Sequence, residues 1–275
     1  MSKKLTALIA ALALCLLGIP ILHAQISPGS AGTFTSATIN GVPIFAGQGL
    51  IGVQTFCASG CTSTGGIYTP DPGTNRVVVE VQAPSGGGAG CAAPGAGNMC
   101  VNGSPGAGSY EKALITSGFS GVTVTAPAGG TGAATGQNTG GPGSPASFGT
   151  LISCSSTSGV SASALGAPTA WTPSGTGSGI APACSGTGVT VIDSVPGRAG
   201  NVGVAGGTSA NLQLGGAGVS TPLGVGGTSQ MGTQSPGSPS SGFGASPSGS
   251  SSSATGTAES GFNGGPGIVI VYEFN

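Results

Sequence analysis

The sequence predicts a mainly β fold, in which an antiparallel sheet is the base for packed glycine-rich helices of the polyproline II type (polyglycine II) and for long loops, all stapled by disulfides. Three observations predict it. Residues 264–275 read Gly-Gly-Pro-Gly-Ile-Val-Ile-Val-Tyr-Glu-Phe-Asn, and a β-branched run directly after a Pro-Gly turn signal is the pattern of a buried central strand. Glycine supplies 58 of 275 residues and proline 20, yet only 4% of residues are charged. Disordered chains of low hydrophobicity are usually highly charged, so this composition points to order held by backbone hydrogen bonds. Of the 7 cysteines, Cys15 lies in an apolar leader, which leaves an even number for disulfides.

Residues 1–24 have the make-up of a signal peptide. Lys3 and Lys4 give a basic start, residues 5–17 are apolar, Gly18 and Pro20 break the run, and Ala24 offers a small residue for cleavage before Gln25. The run is short for a bilayer span and carries helix breakers, and Leu14 before Cys15 does not make a lipoprotein signal. The chain is therefore expected to be secreted or at the cell surface, with no stable membrane insertion once the leader is removed. Residues 25–67 are set apart as an N-terminal hairpin or attachment segment. Asn40-Gly41 between the apolar runs 34–39 and 42–45 is a hairpin signal, Pro43 places its strand at an edge, and residues 51–56 read as a third strand.

Residues 68–275 form the glycine-rich domain. Tyr68-Thr69-Pro70-Asp71-Pro72-Gly73-Thr74 is a tight opening turn. Residues 76–81, Arg-Val-Val-Val-Glu-Val, follow as a strand, with residues 111–116, 122–126 and 267–274 as its expected partners and Phe119-Ser120-Gly121 as a turn. Residues 148–154 and 189–192 are further strand candidates. Between the strands, Gly197, Gly200, Gly203 and Gly206 recur every third residue. Polyproline II has about three residues per turn and no internal hydrogen bonds, so glycine on one edge of each turn lets such helices approach and bond to one another. Residues 233–258, rich in serine, glycine and proline without periodicity, read as a mobile loop or loop tip. Several disulfide pairings are open; closing the shortest loops pairs Cys57 with Cys61, Cys91 with Cys100 and Cys154 with Cys184. A zinc site, the rival use, lacks histidine and paired Cys-x-x-Cys motifs.

The order of segments is itself informative. The Tyr-Thr-Pro-x-Pro-Gly-Thr turn leads into a valine strand; then come Tyr110-Glu111-Lys112, Gly118-Phe119-Ser120-Gly121-Val122-Thr123-Val124, Gly129-Gly130-Thr131-Gly132, Ser147-Phe148-Gly149 and the terminal Gly-Pro-Gly-Ile-Val-Ile-Val-Tyr-Glu. Over residues 54–275 this resembles the glycine-rich domain of phage tail-fibre and tail-tip proteins and their exported bacterial relatives. The resemblance implies a β-structured base carrying packed polyglycine II helices, with exposed loops at one end that contact a cell-surface receptor. The leader, the six cysteines beyond it and the serine, threonine and alanine in place of pure glycine runs depart from that pattern towards an exported bacterial version.

Catalytic chemistry finds little material. The sole histidine, His23, lies in the leader, so Ser-His-Asp and Cys-His sites are excluded from the exported chain. Glu80 and Glu111 meet as a paired-carboxylate site only if their strands are neighbours, and read more simply as charges that protect sheet edges; Lys112 reads as a solvated residue. No Gly-Lys-Ser/Thr phosphate loop is present, and no cofactor or metal is expected. Arg76, Lys112 and Arg198 face Asp71, Glu80, Glu111, Asp193, Glu259 and Glu273, a balance that argues against nucleic acid and against an anionic membrane surface. Aromatic residues are the better lead to binding: Trp171 inside the loop that Cys154 and Cys184 close, Phe243 in the serine-rich segment and Phe262 before the terminal strand. For Trp171 the alternative is the small core of its own loop, while Tyr110, Phe119 and Phe148 read as core. The function expected is a secreted, non-enzymatic, adhesin-like protein that presents loops to a cell-surface glycan or protein. The alternative is an extracellular filament or matrix subunit, built from copies of itself by strand addition, with ice binding as a third idea.

Overall fold

The computed structural model describes residues 38–39, 42–43, 49–59, 61, 63, 65–95, 97–163, 166, 172–206, 212–232 and 234–275. The chain divides into two compact units, Met1–Leu50 with Phe274–Asn275, and Ile51–Glu273. In the first, Thr38–Ile39 pairs antiparallel with Val42–Pro43. The Gly49 N–H donates to Asn275 Oδ1 at 2.8 Å, and the Asn275 N–H to the Gly49 carbonyl at 3.4 Å.

No α-helix occurs among the described residues. A five-stranded sheet runs in the order Thr190–Val195, Tyr110–Ile115, Arg76–Gln82, Ile268–Phe274, Leu50–Cys57. Arg76–Gln82 sits at its centre because Val77, Val79 and Val81 can all be buried on one face, where stiff β-branched side chains fit a pleated surface. It pairs antiparallel with Tyr110–Ile115, from Val77 opposite Ile115 to Gln82 opposite Tyr110. A second five-stranded sheet runs Ser185–Gly186, Ile152–Cys154, Ala146–Phe148, Thr123–Thr125, Gly66–Ile67. The two sheets share one apolar core, in which Val77, Val79, Val81, Ile115, Val269 and Val271 cluster with Val124, Phe148 and Ile152, together with Tyr68 and Phe119. The Tyr68 and Phe148 rings meet tilted, with centroids 5.4 Å apart.

Two strand expectations are corrected here. Residues 122–126 do not join the valine strand; Thr123–Thr125 belongs to the second sheet, between Gly66–Ile67 and Ala146–Phe148. Only Val124 of those three is buried, and the backbone is tied instead to Tyr68, whose N–H donates to the Val122 carbonyl at 2.9 Å. Residues 148–154 are not one strand but a hairpin of Ala146–Phe148 with Ile152–Cys154, reversed at Gly149 with φ +56°. The segment 189–192 is a strand, Thr190–Val195, and forms one edge of the central sheet. Leu50–Cys57 and Gly66–Ile67 are strands of the two sheets, so the unit Ile51–Glu273 takes in part of the segment 25–67.

The bonded cysteine pairs are Cys57–Cys61, Cys91–Cys100 and Cys154–Cys184. They are the neighbour pairs, as short loops favour. Three disulfides fit an oxidising compartment, and no helix among the described residues is long and apolar enough to cross a membrane.

Beyond the sheets, chain segments bond backbone to backbone. The Gly88 N–H donates to the Phe262 carbonyl, Ala133 N–H to Gly88, and Gly261 N–H to Ala133, each at 2.9 Å, which closes a ring across three segments. Three residues along each segment the ring repeats: Ser85 N–H to Gly265 at 3.1 Å, Gly130 N–H to Ser85 at 2.9 Å, Gly264 N–H to Gly130 at 2.8 Å. A second set surrounds residues 102–108, where Ser104 N–H donates to Asn201 at 2.9 Å and Ala107 N–H to Arg198 at 3.0 Å. The period-three glycines lie against this segment: a Cβ on Gly197, Gly200 or Gly203 would strike the carbonyl of Ala107, Ser104 or Asn102 respectively. The run ends as a strand, because Gly203–Gly206 pairs with Thr172–Gly175 and Leu212–Leu214.

The segment 233–258 differs from the mobile loop expected of it. Ser246, Ser248, Ser250, Ser251, Ser252 and Ser253 are all buried, and Ser251–Ser252 pairs with Gln234–Ser235 and Cys100–Val101. Serine suits this setting because its side chain is small and its hydroxyl can both donate and accept, although the Ser251 and Ser253 hydroxyls are buried without a partner among the described residues. Ser250 Oγ donates to the Ala89 carbonyl at 2.7 Å, and Ser248 Oγ accepts the Ser238 N–H at 2.7 Å.

Candidate functional site

The central sheet keeps the two candidate carboxylates, Glu80 and Glu111, apart. Cross-strand pairing sets Glu80 opposite Lys112 and Val81 opposite Glu111. Glu80 and Glu111 therefore lie on opposite faces of the sheet and cannot act on one substrate atom. Lys112 Nζ pairs with Glu80 Oε1 at 2.8 Å and sits 5.6 Å from the Tyr272 ring centroid. It is not a free solvated residue, and the hydrogen bond to Glu80 holds its ammonium above the ordinary range. Tyr110 donates to Glu80 Oε2 at 3.1 Å; burial and that carboxylate push its phenol well above the ordinary range. Glu111 points into the core face with Ala113 and Ile115, where burial pushes its carboxyl up. Its Oε1 has no hydrogen-bond partner.

Glu273, fully buried, clasps the opening turn to the terminal strand. Its Oε1 accepts from Tyr68 Oη at 2.6 Å and from Gln54 Nε2 at 2.8 Å. Its Oε2 accepts from the Asp71 N–H at 3.1 Å and from Thr74 Oγ1 at 3.4 Å. Gly73, with φ +94°, makes the tight turn that presents those donors. Burial, then the bond to Glu273, drives the Tyr68 phenol far above its usual range. The two most distinctive sequence segments thus meet at one carboxylate, a role that no reading of Glu273 alone suggests.

Of the aromatic candidates, Trp171 lies outside the described residues. Phe243 and Phe262 are half-buried and are not brought together by any described contact. Phe262 takes part in the hydrogen-bonded rings through its carbonyl. The Phe243 N–H donates to the Leu223 carbonyl at 2.9 Å, and its carbonyl accepts from Thr221 Oγ1 at 2.6 Å. Tyr110, Phe119 and Phe148 are buried.

That last contact leads to a cleft of about 230 Å³ lined by Val195, Pro196, Arg198, Ser220, Thr221 and Pro222, over a floor of Ala107 and Gly108. The floor is fixed by the backbone: Arg198 and Ala107 exchange hydrogen bonds at 3.0 and 3.3 Å. Thr221 and Gly224 do the same at 2.9 and 3.4 Å. The Arg198 side chain is exposed. Lys112 is bound to Glu80 and Arg76 is engaged elsewhere, whereas Arg198 has no carboxylate partner among the described residues. Sequence reasoning missed this place. The available signal was a lone arginine inside an uncharged glycine-period run.

Two further surfaces stand out. Leu50–Cys57 and Thr190–Val195 are the outer strands of the central sheet, and they expose Leu50, Ile51 and Val53 on one and Val191 and Ile192 on the other.

A scan against known protein families finds no match, and a search of curated proteins finds none either.

Proposed function

We propose that this chain is an exported, non-enzymatic surface-binding protein of tail-fibre-tip type, whose leader is removed and whose rigid body presents loops to a cell-surface glycan or protein. The body is read as a bundle of polyglycine II-type helices standing on the sheet sandwich. The observation that carries this is the pair of hydrogen-bonded rings, Gly88–Ala133–Gly261 and Ser85–Gly130–Gly264, set three residues apart on all three segments. Three residues is the helical turn of an extended glycine helix, which has no internal bonds and must bond to its neighbours. Such a bundle loses little shape when it binds, and preorganisation lowers the cost of association.

The test is saturable binding of the labelled, oxidised chain to intact bacterial cells of a varied panel. Binding competed by unlabelled protein is expected. No saturable binding to any cell, together with regular filaments in negative-stain electron microscopy, would replace this reading with the second one. That second reading is a filament or matrix subunit, favoured by the exposed apolar edges Leu50–Cys57 and Thr190–Val195. The outer strands of a sheet are where strand addition takes place. It requires polymers that disappear when residues 25–48 are deleted.

A further inference from the structure

We infer that the cleft at Arg198 is a binding site for a carboxylate-bearing sugar of a surface polysaccharide. This rests on the surface-binding reading and names the ligand class for it. Arginine is the only side chain that offers a planar fork of N–H donors matched to a carboxylate, and Arg198 is an exposed residue of the cleft lining, with no carboxylate partner among the described residues. The other two basic residues of the glycine-rich domain are occupied.

The remaining walls suit a sugar ring. Pro196 and Pro222, both exposed, present flat apolar faces to the C–H face of a pyranose. The hydroxyls are already oriented and complementary in what they leave free. Ser220 Oγ accepts the Gly226 N–H at 3.0 Å, so its own O–H remains to donate. Thr221 Oγ1 donates to the Phe243 carbonyl at 2.6 Å, so its lone pairs remain to accept a sugar hydroxyl. The volume is about 230 Å³, below the roughly 300–1,000 Å³ of pockets for drug-sized ligands, which suits one sugar ring gripped from a chain that runs past.

The backbone makes the site rigid. Gly197, directly before Arg198, is buried with no room for a Cβ beside the Ala107 carbonyl and the Ala181 methyl, at 2.6 Å from each. The mutual bonds of Arg198 and Ala107 then fix where the guanidinium starts. Beyond the leader the chain carries three basic residues, Arg76, Lys112 and Arg198, against six acidic ones, so a polyanion gains no long-range attraction, and any affinity has to come from the local fork.

The experiment compares binding of the oxidised chain to polygalacturonate, dextran sulfate and neutral dextran by calorimetry, with Arg198→Gln and Arg198→Lys alongside. Polygalacturonate should bind in preference to both other polymers. Arg198→Gln should weaken that binding at least tenfold with an unchanged Tm, and Arg198→Lys should fall between, since it keeps the charge and loses the fork. Equal binding of dextran, equal binding of dextran sulfate, or full binding by Arg198→Gln would each overturn the carboxylate site. If Arg198→Gln still binds whole cells as the parent does, the surface-binding reading stands and this site alone is rejected.

Discussion

Between the two five-stranded sheets, space is filled by Tyr68, Ile115, Phe148, Ile152 and the valines of Arg76–Gln82. Around residues 85–91 and 102–108 the interior is equally closed to solvent, yet it is filled by glycine, alanine, serine and the main chain itself. The two regions are held by different forces. The sandwich gains about 25 cal/mol for each Å² of apolar surface removed from water. The glycine-rich body has few such side chains and gains instead from backbone hydrogen bonds between chain segments, each worth about 0.5–1.5 kcal/mol net. Buried polar groups divide the same way. Glu80, Glu111 and Glu273 lie on central-sheet strands, while the body buries neutral Ser85, Asn102, Ser104, Thr157 and the serines of 246–253. Asn102 shows how these serve: its Nδ2 donates to the Gly90 carbonyl at 3.0 Å and to Ser250 Oγ at 2.9 Å, and its Oδ1 accepts the Ser163 N–H at 2.8 Å. One region is a side-chain core, sensitive to lost volume. The other is a backbone lattice, sensitive to added volume.

The largest effect that would break this contrast lies in the sandwich. Phe148 is fully buried against Tyr68, and Phe148→Ala should cost roughly 3–5 kcal/mol from lost transfer energy plus the cavity left behind. Urea unfolding reads this directly. A loss under about 1 kcal/mol, small for a buried aromatic, would mean that the sandwich is not the anchor of the fold.

The lattice should respond in the opposite sense. A methyl added at Gly200 would overlap the Ser104 carbonyl, whereas at Gly179 nothing lies within 4 Å of the new atom. Gly200→Ala should therefore cost about 1–3 kcal/mol, the usual price of overpacking, while Gly179→Ala should change stability by less than about 0.5 kcal/mol, as surface substitutions do. Both residues carry the same chemical change, so paired thermal melts isolate close packing from glycine's backbone entropy. Equal effects at the two sites would show that the body is held loosely.

Much of the sandwich was legible in the sequence and little of the lattice was. The strands Arg76–Gln82, Tyr110–Ile115 and Ile268–Phe274 announce themselves because β-branched and apolar residues are dense enough to state burial locally. The disulfides followed from short loops. Sheet membership was less legible: with one buried residue in three, Thr123–Thr125 carries no local sign of which sheet it joins. The serine-rich stretch looked like a linker because composition alone cannot separate a solvated serine from one bonded to a distant carbonyl. Ser85 bonds Ala245, and Ser250 bonds Ala89, across about 160 residues. The cleft was hidden for the same reason, since residues 195–198 and 220–222 meet only once the lattice is formed.

The smallest predicted effect tests the one place where the sandwich buries a charge without a full set of partners. Glu111 lies opposite Val81 on one neighbouring strand and Ser194 on the other, and its unpartnered Oε1 faces Gly186. Burial raises its folded pKa above the ordinary value of 4.5, so the protonated acid suits the folded state better than the carboxylate does. The stability this provides is fully present below the unfolded pKa and is lost as pH rises through the folded one. At neutral pH the ionised side chain is therefore a cost, and Glu111→Gln removes it. The variant should have the higher Tm at pH 7, with the advantage shrinking as pH falls towards 4 and below. Every other titrating group is common to both proteins, so the difference between the two melting curves belongs to Glu111 alone. A variant that is less stable at pH 7 would mean that the carboxylate is held by partners in its charged form, and the division between a sandwich that buries charges and a lattice whose buried side chains are neutral would then reflect a built ionic network in the sheet.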